Sequence, residues 1–140
     1  MVLNGTWTGH FTYGEGFPES LHDKSTEIRI EIEETDDEFT GTYTESGFAA
    51  NSDIAPIEGF IENDFISITK RPPRFFGIKE DGTTMYDDTL EHPEVSYSGY
   101  FNEESNCFEG EWEKTFDVEL PNGKKVTAMV TGTWMIKKIE

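Results

Sequence analysis

The sequence predicts an all-β protein, an eight-stranded antiparallel up-and-down barrel, on three observations. One five-residue phrase, apolar–x–Gly–x–apolar, recurs at Leu3-Gly5-Trp7, Phe39-Gly41-Tyr43, Ile57-Gly59-Ile61, Tyr97-Gly99-Phe101, Phe108-Gly110-Trp112 and Val130-Gly132-Trp134. At strand period the glycine and both apolar flanks share one face, and the glycine lets the strand bend and makes room for its neighbours. Apolar and polar residues alternate through most of the remaining segments, and turn-forming pairs separate them at hairpin spacing. The stretch from Tyr97 to Trp112 shows all three features at once, as a hairpin carrying two copies of the phrase.

The first strand runs from Leu3 to Tyr13, with Leu3, Gly5, Trp7, Gly9, Phe11 and Tyr13 on one side and Asn4, Thr6, Thr8, His10 and Thr12 on the other. A Gly/Pro-bearing loop, 14–24, leads to a second strand, Ser25 to Glu34, that turns Ile28, Ile30 and Ile32 inward. Thr35-Asp36-Asp37 turns it into a third strand, Glu38 to Ser46, with Phe39, Gly41 and Tyr43 inside. A loop at 47–54 precedes the fourth strand, Ala55 to Glu62, and Asn63-Asp64 makes a two-residue hairpin turn into the fifth, Phe65 to Lys70. The long irregular segment 71–94 has room for a minor hairpin around Glu80-Asp81-Gly82. Strands at Val95 to Phe101, Phe108 to Leu120 and Lys124 to Lys137 complete the set. In the last of them Val126, Ala128, Val130, Gly132, Trp134 and Ile136 face inward. Closure pairs the first strand with the last and removes the sheet edges. Loops 14–24, 47–54 and 71–94 then share one wide end with the turn at 121–123, and the short connections stitch the other.

The 140 residues make one domain, 1–140, long enough to bury a core. A formal net charge of -18, from 29 acidic against 11 basic residues, disfavours nucleic acid and anionic membrane, which would repel it. The same charge suits a basic protein partner. The single cysteine, Cys107, forms no intrachain disulfide and is expected to be an inert turn residue. The first strand begins almost at once, so no signal peptide is expected and the cytoplasm is the expected location, a processed secreted form being equally compatible. Asn4-Gly5-Thr6 fits a glycosylation sequon.

The phrases Gly5-Thr6-Trp7, Thr40-Gly41-Thr42-Tyr43, Tyr97-Ser98-Gly99-Tyr100-Phe101 and Glu109-Gly110-Glu111-Trp112 resemble strands of avidin and streptavidin, and more broadly the calycin or lipocalin-like barrels. The likeness to fatty-acid-binding proteins is poorer, because no helix pair follows the first strand. The avidin resemblance implies biotin binding between polar groups deep in the pocket and aromatic walls. Tyr43 matches a tyrosine that contacts the ureido group, and Trp112 matches a wall tryptophan. Gly9, however, stands where the family has an asparagine, Thr69 lies near the place of a second wall tryptophan, and Trp134 near that of an aspartate. The resemblance therefore implies a shared architecture without biotin as the ligand.

Lys114 lies in the inward phase between Trp112 and Phe116, where a lone ammonium is costly unless paired or wet. Two readings stand: an anchor for an anionic ligand group, or a lysine turned out by a bulge or reaching the mouth. Tyr13, Tyr43 and Tyr97 are inward too, each with an apolar body and a hydrogen-bonding tip, fit either for ligand contact or for the core. With Trp112 these residues define the expected ligand site, above a floor plugged by Phe39, Ile61, Phe101, Phe108 and Trp134. Arg71, Arg74, Phe75 and Phe76 sit in a segment, 70–79, that concentrates four cations (Lys70, Arg71, Arg74 and Lys79) at the wide end. They either cover the mouth and bind an anion, or cap the core while the cations neutralise nearby acids.

No catalytic constellation emerges: His10, His22 and His92 pair with no visible nucleophile, and no zinc or calcium ligand spacing is present. No cofactor or metal is expected. The expected function is noncatalytic binding of a small, partly apolar and anionic molecule in the lumen; the alternative is an acidic module that binds and masks a basic protein. The nearly uncharged outer face carrying Thr8, His10, Met129, Thr131, Thr133 and Met135 is the expected homodimer surface.

Overall fold

In the computed structural model, which describes residues 3–79 and 81–139, ten strands follow one another: β1 (Gly5–Thr12), β2 (Ser25–Thr35), β3 (Glu38–Ser46), β4 (Ala55–Glu62), β5 (Phe65–Lys70), β6 (Phe75–Ile78), β7 (Thr84–Asp87), β8 (Val95–Asn102), β9 (Cys107–Glu119) and β10 (Lys125–Ile139). Eight of them close a barrel in the order β1-β10-β9-β8-β5-β4-β3-β2, every neighbouring pair antiparallel. The other two, β6 and β7, pair only with each other, as a hairpin inside the long 71–94 connection. Of the predicted hairpin turn, Asp81 and Gly82 are described and Glu80 lies outside the described residues. A single 3-10 turn, Glu19–Leu21, interrupts the first long loop and buries Leu21.

Alternation drives each strand inward on one face. Trp7, Ile28, Ile30, Ile32, Phe39, Ile66, Ile68, Phe108, Trp134 and Ile136 are all buried in one core. Each large apolar side chain removed from water contributes about 1.5–3 kcal/mol. The glycines of the repeated phrase allow this packing. Trp134 pairs with Gly110, and Gly110 pairs with Gly99 on β8. A Cβ at Gly110 would lie 1.9 Å from the Ser98 carbonyl oxygen, so only glycine permits this approach of β8 and β9. Across that gap the Trp134 indole donates to the carbonyls of Ser98, at 3.1 Å, and Glu111, at 3.0 Å. Trp112 does the same beside Gly132, donating to the Thr12 carbonyl at 2.8 Å. Trp7 donates to the Leu3 carbonyl at 2.9 Å. Each indole N–H is thus satisfied without a water-filled gap.

Three expectations change. Val126 does not face the lumen: it is 45% exposed, because the ends of β9 and β10 pair with each other beyond the last residues of β8 and β1 and stand clear of the barrel. The same overhang alters the outer Thr/Met face. Register pairs Thr8 with Lys137 and His10 with Met135, and Thr12 reaches Thr133. Met129 and Thr131 lie further on, Thr131 beside the 14–16 segment. Cys107 is not in the turn but opens β9, buried, with its sulfur 2.9 Å from the Ser105 hydroxyl.

Candidate functional site

The narrow end is solid. Phe39, Phe108 and Trp134 are buried there, Ile61 and Phe101 are half-buried, and Phe108 packs on Trp7 and Phe101 at ring-centre distances of 5.4 Å and 5.1 Å. The wide end is roofed by loops. Phe17, from the first long loop, meets Tyr13 edge-on at 5.1 Å and tilts over Trp112 at 5.8 Å; Phe48 meets Tyr13 at 6.0 Å. Phe76, on β6, is buried beneath the outer hairpin.

Between floor and roof remains a cavity of about 70 Å³. At roughly 30 Å³ per water it holds about two waters, or a ligand of only a few heavy atoms. Phe11, Tyr13, Tyr97 and Trp112 wall it, with Phe17 and Phe76 above, and Lys70, His92, Lys114 and Glu45 supply its ionisable groups. Of the residues the sequence singles out, Tyr13, Tyr97, Trp112, Lys114 and Phe76 come together here. Tyr43 lies just below the cavity wall, while Arg71, Arg74 and Phe75 lie outside it.

Lys70 belongs by sequence to the cation-rich mouth segment rather than to the lumen set, and Glu45 and His92 belong to neither. Lys70 was visible in the pattern, since the same period that turns Ile66 and Ile68 inward turns Lys70 inward as well. Glu45 likewise follows Tyr43 by two. His92 had no such signal, because its place depends on the path of an irregular loop.

These groups form two connected sets. Lys70 Nζ is 3.5 Å from Glu45 Oε2 and 4.0 Å above the centre of the Tyr43 ring. Tyr43 donates to the same carboxylate oxygen at 2.9 Å, Tyr97 donates to the Tyr43 hydroxyl at 3.3 Å, and the Asn51 backbone N–H donates to Glu45 Oε1 at 2.9 Å. Burial is the largest influence on Lys70 and would lower its pKa. Tyr97 and Glu45 outweigh it and hold the ammonium above its ordinary range. The Tyr43 hydroxyl is pushed well up, mainly by burial, and Tyr13, bonded to Thr26, is pushed up to about 12 for the same reason.

The second set is Lys114 and His92, with Nζ and Nε2 3.5 Å apart. His92 Nδ1 accepts the Phe76 backbone N–H at 3.1 Å, which ties the loop to β6. Burial first, then Lys114 and Lys70, lower the imidazole to about 3. Burial first, then Lys70, lower Lys114 to about 8, with Glu45 partly opposing. No carboxylate of the described residues lies within ion-pair reach of Lys114.

The rim cations are spent on neighbouring acids. Arg71 pairs with Glu58 and Glu94. Arg74 grips Asp53 through Nε at 2.7 Å and Nη2 at 3.1 Å, reaches Asp88 at 2.9 Å, and stacks on Tyr86. Tyr86 in turn accepts the Ser52 backbone N–H at 2.7 Å. Phe75 stacks on His92 from outside, at 5.7 Å. The outer hairpin is thereby latched to the 47–54 loop, over the mouth.

A closed eight-stranded antiparallel barrel, stitched at one end and roofed by loops at the other, defines an avidin-like barrel. The solved structures that resemble it include two of rhizavidin. The crystal structure of a rhizavidin–biotin complex superposes with a TM-score of 0.52 at 13% identity, over 99% of this chain and 95% of that one. A crystal structure of rhizavidin gives 0.49 at 12% identity, over 95% and 84%. At these identities the likeness is one of fold. No family model and no curated protein matches the chain.

Proposed function

We propose that the protein is a noncatalytic receptor for a small carboxylate, or a comparable anion with a compact apolar body, held in the wide-end half of the barrel. One observation carries this reading: two lysines, Lys70 and Lys114, project into one partly roofed aromatic cavity, and among the described residues a single carboxylate, Glu45, projects with them. Among the described residues the cluster carries one positive charge in excess whenever Lys114 holds its proton, in a protein of net charge -18. Uncompensated buried charge is costly, and an anion in the cavity removes that cost. Trp112, Tyr97 and Phe11 offer apolar surface to the rest of the ligand, as small-molecule sites generally do.

Biotin is not the ligand this lumen fits. Gly9 cannot carry a side chain, because a Cβ there would lie 1.8 Å from the Met135 carbonyl oxygen. Trp134 is committed to the floor, and the cavity is small. The alternative of an acidic module masking a basic protein draws on the exposed glutamates of β2 and β9, but leaves the buried lysines without a role.

Titration with formate, acetate and propionate, followed by tryptophan fluorescence and protein-detected NMR, tests the proposal. At least one should bind saturably at pH 7, and Lys114→Met should weaken it about tenfold or more. Arg71→Ala, on the rim, should leave binding unchanged. Equal binding by Lys114→Met, or no saturable binding by any of the three, would overturn it.

A further inference from the structure

We infer that Lys114 takes carbonyl compounds covalently: a small aldehyde or 2-oxo acid, oriented in the cavity by its carboxylate, forms a reversible imine with Lys114 Nζ. This rests on reading the lumen as an anion site. It adds a bond-forming role for one of its lysines.

The geometry around His92 is the first support. A ring nitrogen that accepts a backbone N–H carries no proton, so acceptance of the Phe76 amide by Nδ1 places the hydrogen of the neutral ring on Nε2. Nε2 faces Lys114 Nζ at 3.5 Å. An N–H can be accepted there only by an amine lone pair, which an ammonium lacks. This contact favours the free amine of Lys114 over its ammonium, which remains the majority form at pH 7.

The second support is the division of labour between the lysines. Lys70 is tied to Glu45 and remains an ammonium, a fixed positive charge for a ligand carboxylate. Lys114 has no such tie, and burial with the neighbouring Lys70 brings it to about 8. A desolvated lysine beside another cation is the arrangement that makes an amine nucleophilic near neutral pH. The third is space: Lys114 borders the cavity, whose volume of about 70 Å³ suits a molecule of two or three carbons.

In the reaction the Lys114 ammonium first gives one proton to solvent, and the Nζ lone pair then forms the C–N bond while the carbonyl π pair moves to oxygen. One N–H proton passes to that oxygen and gives the carbinolamine. Loss of the hydroxyl with the second N–H proton releases one water and leaves the C=N bond. Nothing is oxidised or reduced. The His92 Nε2–H, freed from Lys114, can donate a hydrogen bond to the carbonyl oxygen during attack.

The test is to incubate the full chain with glyoxylate and cyanoborohydride at pH 7, and to map the reduced adducts by peptide mass spectrometry. Lys114 should be labelled about tenfold faster or more than the exposed Lys124 and Lys125. Glycolate, which has the carboxylate but no carbonyl, should slow that labelling. Labelling of Lys114 no faster than of Lys124 would overturn the inference. Binding of glycolate, measured in parallel by NMR, separates the two levels. Glycolate bound with Lys114 unlabelled removes the imine alone; neither binding nor labelling removes the anion site as well.

Discussion

Lys70 and Lys114 stand on either side of Val95, each in register with it across a strand pair, and point into the same cavity with their pKa values pushed in opposite directions. Their backbones are roughly 10 Å apart, two strand spacings. What separates them chemically is Glu45, which pairs with Lys70 and leaves Lys114 with a neutral imidazole. The two lysines should therefore answer mutation with opposite signs.

Lys70→Met strands the Glu45 carboxylate in the interior. Breaking a buried pair on one side costs about 3–5 kcal/mol, so this variant should unfold at clearly lower denaturant. An undiminished midpoint in urea would show that water reaches Glu45 freely.

Lys114→Met, by contrast, should stabilise the ligand-free protein at pH 7, by on the order of 1–3 kcal/mol, because it removes a charge that folding desolvates. The wild-type penalty is complete below about pH 8, where folded and unfolded chains both hold the proton. As pH rises past 8 the folded chain releases it first, so wild-type stability should climb toward that of the variant. Near pH 10 the climb should end, since Tyr13 and Tyr43 resist ionisation in the fold and then take stability away. A difference between the two proteins that stays constant from pH 7 to 9.5 would count against a desolvated Lys114.

His92 sets the acid limb. Its folded value of about 3 lies below the ordinary 6.5, so from 6.5 downward the unfolded chain binds a proton that the folded chain refuses. This one group should remove up to about 1.4 kcal/mol per pH unit. His92→Gln should flatten the slope between pH 6 and 4, measured by urea denaturation.

The latch at Arg74 should govern entry. Arg74→Ala breaks its contacts with Asp53 and Asp88 and frees β6 and β7 to lift. Because the ion pairs it breaks are open to solvent, global stability should change little. Amide exchange at Phe76 and Gly77 should rise, and ligand association should quicken with little change at the floor. Unchanged exchange in the hairpin would show that packing of Phe76, not the ion pair, holds it down.

Gly110→Ala tests the floor. The added methyl meets the Ser98 carbonyl, and pushing β8 from β9 should cost about 1–3 kcal/mol and disturb the Trp134 indole bonds. Near-ultraviolet circular dichroism would register the second effect.

The sequence by itself determined the barrel, because strand period and glycine spacing act locally: each apolar–x–Gly–x–apolar phrase states which face is inside and where the strand can bend. The same periodicity placed Tyr13, Tyr97, Trp112 and Lys114 in the lumen, and it contained Lys70 and Glu45 for anyone who counted two beyond Ile68 and Tyr43. Tertiary structure decided the rest. Val126 left the lumen because neighbouring strands are shorter than β9 and β10, a fact of register rather than of its own segment. His92 reached Lys114 through a long loop whose path follows from the pairing of β6 with β7 and the grip of Arg74 on Asp53. The charge state of each lysine was settled last, since it depends on which carboxylate arrives beside it, and only the closed barrel brings Glu45 to Lys70 rather than to Lys114.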